Sequence, residues 1–240
     1  MAIRVTFYNE YLEERDWEGA RKIYPKGQHG AIGDYLDKNP EIEYTAVTME
    51  MPDCGLTEEL LNNTDVLLWW GHGYHGQVPD EVSERVKQRV LQGMGFIPLH
   101  SAHISKPFRA LMGTSGRLHW CEDCHEVLWT VNQAHPIANG VPEYFEFDDE
   151  MYGEPFDVPE PDETIFIGWF NTGNVFRSGI TYRRGNGKIF YFQPGHNTNP
   201  VYHNTHILKI IENAIYWAKP DFDYPPRSDD FFAADTIVKK

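Results

Sequence analysis

Asp65-Val-Leu-Leu-Trp-Trp-Gly71 decides the fold, and it runs straight into His72-Gly-Tyr-His75-Gly76. Five consecutive apolar residues between an aspartate and a glycine predict a short strand covered on both faces, the kind found in parallel sheets with helices on either side. A second run of this kind, Phe96-Ile-Pro-Leu99, ends in His100-Ser-Ala-His103. Between the two, Val82, Val86 and Val90 recur at i+4 after Pro79-Asp80, and Gly93 follows. That pattern predicts a helix with Asp80 as its N-cap and Gly93 as its stop. Strand, helix and strand in this order predict parallel pairing through a right-handed crossover. Each strand then delivers two histidines to one edge of a sheet, beyond the carboxyl ends, where open α/β folds bind their ligands.

Working outward, residues 3–8 and 42–49 read as strands, residues 30–39 as a short helix and residues 57–62 as a helical turn. Residues 164–170 read as a strand, and residues 179–192 as a hairpin turning on Gly185-Asn186-Gly187. Ile207, Ile210, Ile211, Ala214, Ile215 and Ala218 lie on one stripe of a closing helix that must pack on the sheet. Residues 113–160 mix aromatics, His, Cys and acids without a sustained period, and predict an irregular insertion with short strands near the sheet edge. The expectation is one α/β domain over residues 1–220, doubly wound and flavodoxin-like, with a mostly parallel sheet and helices on both faces. Residues 221–240 form a Pro-rich acidic tail that runs over the surface or to a neighbouring subunit, which makes a homo-oligomer an expectation.

The 240 residues carry 21 Lys plus Arg against 36 Asp plus Glu, a net charge of −15. This balance argues against nucleic acid and anionic membrane as partners and leaves a small molecule. No run of 18 apolar residues occurs, and the amino terminus lacks a basic flank and cleavage site, so a cytoplasmic protein is expected. Three cysteines are too few, and odd in number, for a disulfide framework. No Gly-rich dinucleotide fingerprint follows the first strand, so no nucleotide cofactor is expected.

Val66-Leu-Leu-Trp-Trp-Gly-His72, Phe96-Ile-Pro-Leu-His100-Ser-Ala, His135-Pro-Ile-Ala-Asn-Gly-Val, Asp149-Glu150-Met-Tyr152 and Gly187-Lys-Ile-Phe-Tyr-Phe-Gln-Pro-Gly-His196 together resemble the trehalose-utilisation (ThuA-like) family. The resemblance spans roughly residues 3 to 218. It implies the class I glutamine amidotransferase-like fold and a role in disaccharide catabolism through keto-sugar intermediates. Amidotransferases of that fold carry a nucleophilic cysteine on a sharp strand-to-helix elbow and a base on a later strand. Here the elbow position holds His100 and the later motif reads Gln193-Pro194-Gly195-His196, while Cys54, Cys121 and Cys124 all lie elsewhere. A thioester mechanism is therefore rejected, since fold does not fix function.

Imidazole exchanges protons near neutral pH without large tuning, which suits proton transfer beside a sugar carbonyl or at a glycosidic oxygen. His100 is the first candidate for general acid or base, with His72, His196 and Glu150 completing the catalytic set. His75, Ser101, His103, Tyr152 and Asn197 are the candidates for holding sugar hydroxyls. The competing reading of each histidine is a cap on backbone groups at a strand end, and that of Asp148-Asp149-Glu150 is a solvated acidic face. Trp169, with Asn171 and Asn174 after it, is a candidate platform for a sugar ring, against the ordinary core role of strand tryptophans.

His119-Trp-Cys121-Glu-Asp-Cys124-His125 is a second constellation. Cys-x-x-Cys lets two thiolates grip a tetrahedral ion, with His119 facing the same side, and zinc is the ion expected there. A redox dithiol and plain buried thiols are the alternatives. A further arrangement places a metal among the rim histidines and Glu150. The function expected from all this is an enzyme acting on a keto-sugar or glycoside by histidine acid–base chemistry. The alternative is a noncatalytic sugar-binding subunit beside a partner sugar oxidoreductase, with a structural zinc site.

Overall fold

The computed structural model describes residues 2–221. Nine strands form one sheet among these residues: β1 (Ile3–Asn9), β2 (Ile42–Thr48), β3 (Val66–Trp70), β4 (Gly95–Leu99), β5 (His119–Thr130), β6 (Tyr144–Gly153), β7 (Glu163–Phe170), β8 (Val175–Arg184) and β9 (Gly187–Phe192). Their order is β2-β1-β3-β4-β9-β8-β7-β5-β6. The first five in that order pair parallel, in the 2-1-3-4-5 arrangement of flavodoxin-like sheets, and the remainder pair antiparallel. The helices are α1 (Leu12–Asp16), α2 (Glu18–Ile23), α3 (Gly27–Leu36), α4 (Glu58–Asn62), α5 (Asp80–Gln92), α6 (Lys106–Met112) and α7 (Thr205–Ala218).

Every residue of β3 is buried, as its unbroken apolar run predicts. Val66, Leu68 and Trp70 pack into the core shared with α3 and α7, while Leu67 and Trp69 join Val82, Val86 and Val90 of α5 and Phe108 of α6 on the other face. Each large side chain so buried contributes roughly 1.5–3 kcal/mol, so the two cores together dominate the fold's stability. The Ile207, Ile210, Ile211, Ala214, Ile215 and Ala218 stripe of α7 is buried as expected. At the start of β4 a side chain on Gly95 would overlap the carbonyl of Ala218, so α7 reaches the sheet only because that position is glycine.

The main difference from expectation lies in residues 113–160. In place of short strands, β5 runs for 12 residues and β6 for 10, paired antiparallel at the sheet edge. The alternation in β5 is masked by a bulge between Cys121 and Cys124, where Asp123 adopts a left-handed φ of 55°. One inserted residue flips the side chains on either side of it and erases the period of two. Helices α1, α2 and α6 had no counterpart in the predicted elements, α3 begins three residues before the predicted start, and α5 has Pro79 rather than Asp80 at its N-cap. Residues 222–240 of the acidic tail lie outside the described residues. Within 2–221, no helix is long and apolar enough to cross a membrane.

Candidate functional site

Four adjacent parallel strands end at the site. Beyond β1 stand Glu10, Glu13 and Glu14; beyond β3, His72 and His75; beyond β4, His100, Ser101 and His103; beyond β9, Gln193, His196 and Asn197. The antiparallel half folds back over them. Although β6 is the far edge strand, its Asp149 carboxylate accepts from the amides of Gly195 and His196 at 2.8 and 3.0 Å, and its Tyr152 hydroxyl donates to Ser101 Oγ at 3.2 Å. Glu150 thereby sits among the histidines.

His100 occupies the elbow with φ of 50°, a left-handed backbone that non-glycine residues adopt where surrounding structure holds them. Its ring is fully buried, stacked on Tyr152 at 4.8 Å between centroids. Nδ1 lies 2.8 Å from the carbonyl of Gln193. A carbonyl only accepts, so Nδ1 carries the proton and Nε2 faces Glu150, whose Oε2 is 3.0 Å away. The ring centroid of His196 is 5.3 Å from those of both His100 and His72. One ligand atom from each of His100, Glu150 and His196 falls within 4.8 Å of the other two, and among the described residues no other three metal-ligating side chains converge so closely.

His72 and Glu13 form the accessible part of the cluster, with side chains 31% and 28% exposed. Both oxygens of Glu13 approach Nδ1 of His72, at 2.9 and 2.8 Å. Burial opposes a charge on this ring, yet the hydrogen bond and charge of Glu13 outweigh it and hold His72 above the usual imidazole range. Glu10, buried beneath, accepts from the amides of His72, Gly73 and Tyr74 at 2.9, 3.0 and 3.0 Å and so fixes the histidine turn. The deeper rings behave oppositely: burial pushes His75 and His196 down to about 4 and His103 down to about 3. Glu150 is pushed up by burial but held below the usual carboxylate range by His100, His196 and His72 around it. Asp149, also buried, rises to about 6.

The late-strand loop is held just as firmly. The carbonyl of Gly195 accepts from Gln28 Nε2 at 2.9 Å and Trp70 Nε1 at 3.0 Å. With φ of 149°, and with the Tyr202 hydroxyl where a side chain would go, Gly195 admits no other residue without strain. Behind the loop, Ser178 Oγ is 3.1 Å from both Glu126 Oε1 and Gln193 Oε1. One hydroxyl hydrogen serves only one acceptor, and an amide oxygen cannot donate. Glu126, fully buried and raised well above the usual carboxylate range by burial, therefore supplies the second hydrogen as a neutral acid.

The structure brings together His72, His100, Glu150 and His196 of the predicted catalytic set. Of the predicted sugar-holding residues, Asn197 donates to Glu13 of the cluster at 2.6 Å, His103 Nδ1 donates to the carbonyl of Gly116 at 2.6 Å, and Ser101 and Tyr152 bond each other. His75 is buried with Nε2 unpaired among the described residues. The thiols of Cys121 and Cys124 both reach the carbonyl of Glu122 at 3.5 Å, but His119 lies against Gly153 and pairs with Asn174 at 3.2 Å, and among the described residues these three do not gather into one ligand set. Trp169 is 44% exposed on β7, beside Val175 in register rather than beside the histidines. A surface groove of about 640 Å³ lined by His135, Lys209, Asn213 and Trp217 shares no residue with the cluster. Glu10 and Glu13 were not foreseen, although an acidic run directly after a central strand is the signal that marks them.

A family model described as trehalose utilisation, ThuA, matches residues 4–218. Among solved structures, a ThuA-like protein from Parabacteroides merdae ATCC 43184 superimposes with a TM-score of 0.68 at 15% identity, covering 94% of each chain. A ThuA-like protein from Bacteroides uniformis ATCC 8492 gives 0.65 at 15% identity, with 90% of each chain covered. A protein described as cytoplasmic from Salmonella typhimurium gives 0.61 at 14% identity, over 91% of this chain and all of the other. At these identities the likeness establishes the fold. No curated protein sequence matches.

Proposed function

Because the chain belongs to the trehalose-utilisation (ThuA) family, it has a role in carbohydrate utilisation, and we propose that it is a cytoplasmic enzyme acting on a keto-sugar or glycoside by imidazole acid–base chemistry. His72 is the group that exchanges a proton with the sugar. The observation that carries this reading is the pairing of His72 with Glu13: Nδ1 is clamped, Nε2 is left for substrate, and the pair is the accessible edge of an otherwise buried cluster. A base oriented by a carboxylate is the arrangement that proton abstraction beside a carbonyl requires. His100, Glu150 and His196 form the floor against which a sugar carbonyl or hydroxyl oxygen rests. Any oxidation that generates the keto form belongs to a partner oxidoreductase, in keeping with a sequence that has no dinucleotide fingerprint.

Incubation of the purified chain with a panel of disaccharides and their keto forms, followed by product analysis of every sugar that raises the melting temperature, tests the reading. Conversion of at least one sugar, lost in His72→Ala while binding persists, supports it. Sugars that stabilise the protein and emerge unchanged would make it a binding or accessory subunit instead.

A further inference from the structure

We propose that His100, Glu150 and His196 bind a divalent transition-metal cation, and that the sugar oxygen of the reading above rests on it. The convergence of three buried ligands from three segments is the first observation. The second is the direction of the imidazoles. His100 spends its Nδ1 proton on the carbonyl of Gln193, which turns Nε2 toward the cluster with no hydrogen-bond partner among the described residues. Glu150 Oε2 stands 3.0 Å from that nitrogen, at ion-pair distance, although no well-formed hydrogen bond joins the two.

A carboxylate oxygen and an imidazole nitrogen this close need positive charge between them, supplied by a ring proton or by a bound cation. Ligands bound to one cation at about 2.0–2.1 Å stand roughly 2.8–3.4 Å apart in octahedral or tetrahedral geometry, a range that includes the 3.0 Å between His100 Nε2 and Glu150 Oε2.

His196 presents the same arrangement. Its Nδ1 is 2.6 Å from Thr198 Oγ1, and the Thr198 hydroxyl donates to Asn199 Oδ1 at 3.0 Å. The threonine oxygen must then accept the proton of Nδ1, and Nε2 is the nitrogen free to coordinate. Imidazoles whose far nitrogen donates to a fixed acceptor are the usual ligands of protein metal sites, because the second bond sets tautomer and ring orientation. The supports are themselves anchored: Asp149 holds the backbone of His196, and neutral Glu126, through Ser178, fixes the side chain of Gln193. Two imidazoles and one carboxylate leave positions open for a ligand oxygen, the donor set of catalytic zinc, manganese or iron sites.

The test uses the full chain stripped with chelator and dialysed against Zn²⁺, Mn²⁺ or Co²⁺. Expected are one equivalent of bound metal by elemental analysis, a raised melting temperature, and a Co²⁺ visible spectrum free of thiolate charge-transfer absorption. Glu150→Gln and His196→Ala are each expected to weaken binding by more than the roughly 10–100-fold cost of losing an outer-shell partner. Cys121→Ser is expected to leave binding unchanged. Less than a tenth of an equivalent bound, or a Co²⁺ spectrum dominated by thiolate bands, would overturn the proposal, and neither result depends on a variant that folds. Sugar turnover at full rate by chelator-stripped protein also sinks it and leaves the acid–base reading standing. Stoichiometric metal with no sugar bound or changed does the reverse.

Discussion

Glu13 grips the Nδ1 edge of His72 with both carboxylate oxygens, at 2.9 and 2.8 Å, and Asn197 steadies the same carboxylate at 2.6 Å. The three residues come from the ends of three different segments, beyond β1, β3 and β9, so their meeting is a product of strand order rather than of local sequence. Substitution of Glu13 by Gln keeps the shape and removes the charge that orients the ring. Turnover should fall by about 10²–10⁴-fold, the range for a lost acid–base contribution, with little change in sugar affinity. Steady-state kinetics that instead place the loss in KM would assign Glu13 to binding.

Glu126 supplies a pH prediction. Its folded pKa lies well above the usual 4.5 because it is buried as a neutral acid. Between 4.5 and that raised value the folded chain holds a proton that the unfolded chain releases, so this group lowers stability progressively as the pH rises through the window. Glu126→Gln keeps a donor for Ser178 and removes the penalty. Urea melts should show the variant gaining on the wild type between pH 5 and pH 8. An equal difference at both pH values would mean that Glu126 is not held neutral.

Gly195→Ala tests the late-strand loop. The new methyl group would overlap the Tyr202 hydroxyl and press on His100 Cβ at 3.3 Å, on a backbone with φ of 149°. The expected cost is at least about 2–3 kcal/mol of stability, together with loss of the sugar-dependent thermal shift. A variant as stable as wild type would show that the loop is not confined as the geometry requires.

His103 gives a second acid-side expectation. Held neutral by burial down to about 3 while bonded to the Gly116 carbonyl, it must be protonated on unfolding below its usual 6.5. Stability is therefore lost as the pH falls from 6.5 toward 3. In His103→Gln that slope should be shallower in denaturant titrations at pH 7 and 5, and an unchanged slope would place the acid sensitivity elsewhere.

How much of this was readable in advance follows from where the physical signal is local. Val66–Trp70 is a strand with the predicted limits because burial on both faces demands an unbroken apolar run. His100, His72 and His196 were readable because each lies within four residues of the end of such a strand. Glu10 and Glu13 were not singled out, since an acidic run after β1 resembles a solvated face. Only the parallel neighbour β3 turns it inward, where Glu10 takes three loop amides. Asp149 and Glu150 were exposed to the same misreading, and they are buried because an antiparallel edge strand returns over the parallel strand ends, a path that no period in the chain encodes. The β5 bulge hid that strand by breaking its alternation at Asp123.

The most direct measurement is product analysis of keto-disaccharides incubated with wild-type chain and with His72→Ala, each first shown by thermal shift to bind the sugar. The account predicts a converted sugar with the wild type and none with the variant at matched occupancy. Conversion at the same rate by both, or failure of every sugar to bind the wild type, would contradict it.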